Sequence, residues 1–427
     1  MKKIINPINC LRGEIDLPGD KSISHRVVFI GSIASGKTIG KNFLKADDCL
    51  STVEAFRSMG VAIDITDKRI CVNGRGLRGL KKPDGDLYLG NSGTTMRILP
   101  GIIAGQDFGA TLTGDKSLSG RPMRRIIDPL NRMGVSITSA GGGGTAPLLI
   151  KGGKVTNIDF ETSVASAQVK SCILFAGLYA DGITSITEPF ISRDHTERML
   201  KFCGAKLLRR DLTVSVEGGG MLASKEFYIP GDISSAAFFI AGGSILQGSD
   251  LVLRDVGLNP TRCGFINVLL RMGANIKVLA KKDSVEPYGD VRVRSGDLKS
   301  AVIEADEVPQ LIDEIPILAV LASKALGSTV IKGLGELKVK ETDRIVSITD
   351  NLQRMGVDIE TRDNSIVVNG KKGRLKGGAL RSFNDHRTAM SVAIAALYAD
   401  GPCEIDDTSS ISTSFPSFFN VLDYLKK

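Results

Sequence analysis

The residues best suited to chemistry in this chain come in short polar clusters. Lys21, Ser22 and Arg26 fall within six residues; Gly93, Thr94 and Arg97 form a second group; Asp385, His386 and Arg387 are consecutive. Ser166 with Gln168, and Asp313 with Glu314, make two more. Each group opens an apolar, helix-like run. A helix start carries free N–H groups and a partial positive charge, so it is a ready site for anions. The same dipole disfavours lysine and arginine there, which points to an anionic ligand as the balancing charge. Serine or aspartate alone at a helix start is usually only a cap. That is the reading for Asp232 and Ser234, where no cation accompanies them in sequence.

Three clusters lie outside those starts. Arg121 sits in GDKSLSGRPMRR, Arg193 in SRDHTERM, and Lys340, Glu341 and Arg344 in ELKVKETDRI. The last could be a plain ion-paired helix face. All three histidines, His25, His195 and His386, neighbour an arginine-bearing cluster. No His-x-x-x-His or carboxylate spacing supports a zinc site.

The elements that must hold these residues repeat. A polar cluster, an apolar run and a glycine sixteen residues on occur six times, at 20–36, 93–109, 166–182, 232–248, 311–327 and 385–401. A helix end followed by glycine interleaves, at Gly60, Gly134, Gly204, Gly273 and Gly356. Periods of this kind mark repeat architecture. Each unit reads as β-α-β-α-β-β, with glycine wanted in a left-handed cap after both helices. In the first unit, GEIDLPGD is the opening strand. The run Gly141–Gly144 reads as a hairpin tip. The near-copies IDLPGDKSIS and FYIPGDISSA carry Pro18-Gly19 and Pro230-Gly231 at strand-to-helix junctions. They suggest a hinge near 18–20 and 229–232. One domain is then 20–230 and the other combines 1–19 with 231–427, with a ligand cleft expected between them.

Bulk properties narrow the class. The 427 residues exceed one ordinary core, and 42% hydrophobic with 24% charged residues is globular composition. No charge-free apolar run is long enough to span a membrane, and MKKIINPINC lacks the apolar core of a signal peptide. The seven scattered cysteines read as reduced thiols of a cytoplasmic protein. The net charge of +8 suits pockets for small anions. With 5% aromatics and no block of five like charges, a stacking nucleic-acid surface is not expected. Residues 31–38, GSIASGKT, match the P-loop pattern, but helix precedes and strand follows, the reverse of what a P-loop requires.

Taken together, PGDKSISHR, LGNSGTTMR, GRPM, SAQVKS, SRDHTE, LIDEIPILA, LKVKETDR, NDHR and TSFPSF resemble the 5-enolpyruvylshikimate-3-phosphate synthase family. They occur in that family's order and span nearly the whole chain; singly, each would be weak. The resemblance implies an α/β (α+β) protein with the two-domain inside-out α/β barrel of the enolpyruvyl transferases, six βαβαββ repeats, three per domain. It implies transfer of enolpyruvyl from phosphoenolpyruvate to the 5-hydroxyl of shikimate-3-phosphate, with release of phosphate and no metal or organic cofactor. It places the chain in the shikimate pathway and its active site in the interdomain cleft. A monomer with small anionic substrates, and neither nucleic-acid nor membrane partners, is expected.

The resemblance also assigns residues. Lys21, Ser22, Arg26, Ser166, Ala167, Gln168, Arg193, Asp313 and Lys340 would bind shikimate-3-phosphate. Lys21, Gly93, Gln168, Arg121, Arg344 and Arg387 would bind phosphoenolpyruvate, where the arginine fork suits carboxylate and phosphate. Asp313 would act at the reacting hydroxyl, and Glu341 and Lys21 on the methylene proton. Thr413 stands where many members have lysine, so the resemblance assigns no role to that position. LGNSGTTMR and SAQVKS look like the class II branch, some members of which tolerate glyphosate. Gly93 lacks the bulkier side chain that is one route to tolerance. Two rivals are weighed. The sister transferase acting on UDP-N-acetylglucosamine usually carries a cysteine in the loop matching Gly114–Arg124, and none is here. A repeat-built protein binding anionic polymers such as RNA is the other.

Overall fold

The computed structural model describes residues 1–426. Two compact units emerge: Gly19–Ile229, and Met1–Pro18 together with Pro230–Lys427. Each is built from inward helices and outward sheets.

In the unit Gly19–Ile229 the inward helices are Lys21–Ile33, Gly93–Ile103 and Ala167–Gly177. All of Ile23–Ile33 is buried, as is every residue of Gly93–Ile103 except Thr94. The other unit has Ile233–Ile245, Ile315–Ala322 and His386–Leu397, each buried at every position. Helices apolar on all sides can only be interior. Close approach is built in. A Cβ on Gly101 would lie 2.1 Å from the Cys172 carbonyl oxygen, so only glycine lets these two helices pack at that distance.

Among the described residues the strands form five four-stranded sheets and one three-stranded sheet. A typical one, Val302–Ile303, Gly327–Ile331, Ser365–Gly370 and Asp358–Arg362, pairs its first two strands parallel across the inward helix and the rest antiparallel. The outer helices Asp47–Ser58, Arg124–Arg132, His195–Phe202, Gly264–Arg271 and Arg344–Arg354 cover the gaps. Each closes on a glycine of positive φ, at Gly60, Gly134, Gly204, Gly273 and Gly356, the left-handed cap expected from sequence. After the inward helices the pattern is less uniform. Gly36, Gly182, Gly248 and Gly327 have positive φ; Gly109 and Gly401 do not. Gly109 instead opens the strand Gly109–Thr113.

The opening strand corrects the expected first unit. Arg12–Asp16 pairs parallel with Asp250–Gly257, in the sheet of the unit that carries Ile233–Ile245. The strand Glu226–Tyr228 pairs parallel with Ser35–Lys41 and takes the vacated place. The two similar segments have exchanged strands. The last repeat also departs from the pattern: it lacks a closing hairpin, and Lys3–Ile5 completes its sheet against Cys403–Ile405. Gly141–Gly144 does join two antiparallel strands, Ser136–Ser139 and Leu148–Lys151. Lys37 of GSIASGKT lies within the strand Ser35–Lys41, so no helix opens at it. Among the described residues no helix is long and apolar enough to cross a membrane, and the cysteines are free thiols.

Candidate active site

In the unit Gly19–Ile229 the expected residues gather at the starts of the inward helices. Asp20 caps the first, its side chain accepting from the Ile23 N–H at 2.9 Å. Lys21 follows, and its ammonium donates to Asp48 Oδ2 at 2.9 Å. One turn on, Arg26 is 3% exposed. Its Nε donates to Thr196 Oγ1 at 2.6 Å and one terminal nitrogen to Ser171 Oγ at 2.9 Å. The other reaches back to the Ser22 carbonyl at 3.0 Å. Arg26 therefore ties the Lys21 helix to the Ala167 helix and to His195–Phe202.

A second knot joins the other two starts. Gln168 accepts from Arg97 at 2.8 Å and donates to Thr94 Oγ1 at 3.2 Å. Arg121 donates to Asn91 Oδ1 at 2.5 Å and to Ser117 Oγ at 3.3 Å. A Cβ on Gly93 would lie 3.0 Å from one Arg121 nitrogen and 3.4 Å from one of Arg97. Gly93, the first residue of its helix, thus leaves room for two guanidiniums where a side chain would crowd them. Ser166 caps the Ala167 helix by accepting from the Val169 N–H. Arg193 stands in the segment before His195–Phe202, and Ala167 opens its own helix beside Ser166.

Behind these cations lies a buried polar thread. His25 Nδ1 meets Thr52 Oγ1 at 2.7 Å, Thr52 meets Thr95 Oγ1 at 2.6 Å, and Thr95 meets Ser92 Oγ at 2.7 Å. Burial, with Lys21 and Arg26 adding repulsion, pushes the His25 imidazole well below its usual range. It is therefore neutral in the folded chain. Below the ordinary histidine value of 6.5 the unfolded chain binds a proton that the folded chain refuses. Stability is then lost as pH falls through that window. The melting temperature is expected to drop between about pH 7 and pH 5, and His25→Gln to flatten part of the slope. Melts of both proteins across that range check it, and an unchanged slope would remove His25 from this role.

The other unit carries the acids. Asp313 lies in the 3-10 turn Ile312–Glu314 that leads into Ile315–Ala322. Its carboxylate is 3.2 Å from Arg344 and 3.4 Å from Arg387. Arg344 is 1% exposed and also binds Asp385 at 2.8 Å and Glu341 at 2.6 Å. Burial works against the Arg344 charge, but Asp385, Glu341 and Asp313 outweigh it and hold the guanidinium more firmly charged than usual. Asp385 caps the His386 helix, accepting from the Arg387 and Thr388 N–H groups. Lys340 enters this segment as the residue before Glu341. It lies outside the helix Arg344–Arg354, so the ion pair is Glu341–Arg344 at i,i+3. Asp232 is a cap, accepting from the Ser234 N–H, but it is not far from a cation. Arg262, a cation that the local sequence does not contain, donates to Ser234 Oγ at 2.7 Å and lies 3.7 Å from Asp232. Thr413 turns its hydroxyl to the Ser410 carbonyl at 2.7 Å, and Phe415 of TSFPSF packs on Phe239.

Sequence reasoning missed the partners that hold these side chains: Asp48, Ser171, Thr196, Asn91, Ser117 and Asp385 as an arginine ligand. Most are ordinary helix or loop residues with no local signature. Among the described residues no group of three or more His, Cys, Asp or Glu side chains is placed to hold a metal ion. What the arrangement offers is two parts. One is rich in lysine and arginine at helix starts; the other sets a carboxylate between two arginines.

Known structures share this architecture. The enolpyruvyl transferase NikO from Streptomyces tendae matches with a TM-score of 0.80 over 99% of this chain and 96% of its own, at 19% identity, which speaks for the fold alone. The protein therefore has the inside-out α/β fold of the enolpyruvyl transferases. EPSP synthase from Acinetobacter baumannii matches with a TM-score of 0.89 at 43% identity, over 100% of this chain and 98% of that one. The family model of EPSP synthase (3-phosphoshikimate 1-carboxyvinyltransferase) covers residues 5–422. The 3-phosphoshikimate 1-carboxyvinyltransferase of Bacillus velezensis is 48% identical over 421 residues, 98% of both chains. That of Bacillus subtilis is 47% identical over 421 residues, again 98% of both. The chain belongs to the EPSP synthase family.

Proposed function

We propose that the chain transfers the enolpyruvyl group of phosphoenolpyruvate to the 5-hydroxyl of shikimate-3-phosphate, releasing phosphate. The observation that carries the residue assignment is the Asp313 carboxylate set between Arg344 and Arg387. A base with two anion-binding forks beside it is what an addition to phosphoenolpyruvate needs.

In this reading Lys21, Ser22, Arg26, Ser166, Gln168 and Arg193 hold shikimate-3-phosphate, with Ala167 offering backbone and Lys340 a further contact. Lys21, Gly93, Arg121, Gln168, Arg344 and Arg387 hold phosphoenolpyruvate. The hydroxyl oxygen bonds to C2 of phosphoenolpyruvate while its proton passes to Asp313. C3 gains a proton at the same stage, supplied by Lys21 or Glu341. The tetrahedral intermediate then loses a C3 proton, and the C2–O bond to phosphate breaks. No oxidation state changes overall; protons and one phosphate move. The cations hold two phosphates and a carboxylate together, which supplies proximity as well as charge. The residues assigned here come from both units.

Phosphate release from purified protein tests this. Release is expected only when shikimate-3-phosphate and phosphoenolpyruvate are both present. Release with UDP-N-acetylglucosamine in place of shikimate-3-phosphate would overturn the substrate assignment, and no release with either would overturn the activity.

A further inference from the structure

The mechanism leaves a buried charged cluster around Lys170 unused. Lys170, in the Ala167 helix, is fully buried, and its ammonium lies 2.8 Å from both Glu188 and Glu197. It also donates to the Ser192 carbonyl at 3.4 Å. Burial opposes the Lys170 charge, yet Glu197 and Glu188 more than offset it and the net shift is upward. Taking such a group out of water is expensive. Apolar residues of similar volume often serve stability as well or better. The cluster is therefore better explained by the geometry it enforces.

That geometry is visible in Glu188, which is 3% exposed. One oxygen accepts from the Ser166 backbone N–H at 3.0 Å, and the other from the Ser192 hydroxyl at 2.9 Å. One carboxylate thus pins the cap residue of the Ala167 helix to the segment that delivers Arg193. Lys170 anchors that carboxylate from behind. Glu197 contacts Lys170, while both straps belong to Glu188. One residue along each helix, Ser171 and Thr196 meet at 2.6 Å and clasp Arg26. So 170 and 197 form a charged clasp beside the hydroxyl clasp of 171 and 196.

We infer that Glu188, fixed by Lys170, is a positioning residue for shikimate-3-phosphate, setting Ser166 and Arg193 at the spacing its phosphate requires. The inference rests on the substrate reading above. It separates the two glutamates: both pair with Lys170, but Glu188 alone holds Ser166 and Ser192.

The test compares Glu188→Gln with Glu197→Gln. Each loses one ion pair to Lys170 at nearly constant volume. Glu188→Gln is expected to raise the KM for shikimate-3-phosphate about fivefold or more, with kcat and the KM for phosphoenolpyruvate within about twofold. Glu197→Gln is expected to leave the KM for shikimate-3-phosphate within about twofold, whatever its effect on melting. An equal rise in both variants, or none in Glu188→Gln, overturns the inference. Should Glu188→Gln fail to fold, Ser192→Ala removes one strap alone and is expected to raise the same KM; no rise overturns it as well. Wild-type phosphate release dependent on shikimate-3-phosphate is the control. Its absence would sink the substrate reading, whereas its presence with unshifted variants sinks only the positioning role.

Discussion

Asp313→Ala is expected to lower kcat by a factor on the order of a hundred or more while shikimate-3-phosphate affinity stays nearly intact. The reason lies in what the side chain touches. Asp313 contributes one short, largely buried carboxylate, set 3.2 Å from Arg344 and 3.4 Å from Arg387. Removing it releases one nitrogen of each guanidinium toward phosphoenolpyruvate while Arg344 keeps Asp385 and Glu341, so binding of that substrate is expected to hold or tighten. What disappears is the acceptor for the hydroxyl proton. Steady-state kinetics with binding titrations separate these effects. Unchanged turnover would sink the role given to Asp313. A large loss of shikimate-3-phosphate affinity with normal turnover would make it an anchor rather than a base.

Arg344→Met is expected to be the more damaging change to the fold. The guanidinium is 1% exposed and serves Asp385, Glu341 and Asp313 together. Breaking a buried pair by removing one partner costs about 3–5 kcal/mol, because the other charge stays buried and uncompensated. Asp385 is the worst placed, with no exposure and its other oxygen committed to the cap of the His386 helix. The variant is expected to melt well below the parent and to show no measurable turnover. Arg344→Lys keeps a charge but cannot fork to three acceptors, so partial stability with a raised KM for phosphoenolpyruvate is expected. Thermal melts with kinetics on both variants check this. Parent-like melting in Arg344→Met would mean that Arg387 takes over the carboxylates.

The helix starts were the most legible part of this chain. Asp20, Ser92, Ser166, Asp232 and Asp385 each accept from an N–H two or three residues on, a local device readable from a few letters. The Met-Gly ends were equally local. What could not be read is pairing across distance. Thr196 holds Arg26 from 170 residues away, and Asp48 holds Lys21 from another helix. Arg262 reaches Asp232 and Ser234 from the 3-10 turn Pro260–Arg262, so their start looked free of cations. The strand exchange was hidden for a related reason. Arg12–Asp16 and Glu226–Tyr228 have the same local pattern, and only the sheets they join tell them apart.

That exchange bears on the order in which a ribosome could deliver the two units. Gly19–Ile229 is one uninterrupted stretch, so all its strands have emerged once the strand Glu226–Tyr228 has. Its neighbour is made in two instalments. Lys3–Ile5 is made before the unit Gly19–Ile229, yet its partner Cys403–Ile405 is made after it. Arg12–Asp16 likewise waits for Asp250–Gly257. Through that interval the early strands carry open backbone edges while an entire unit is translated between them, which makes them the segments most in need of protection during synthesis.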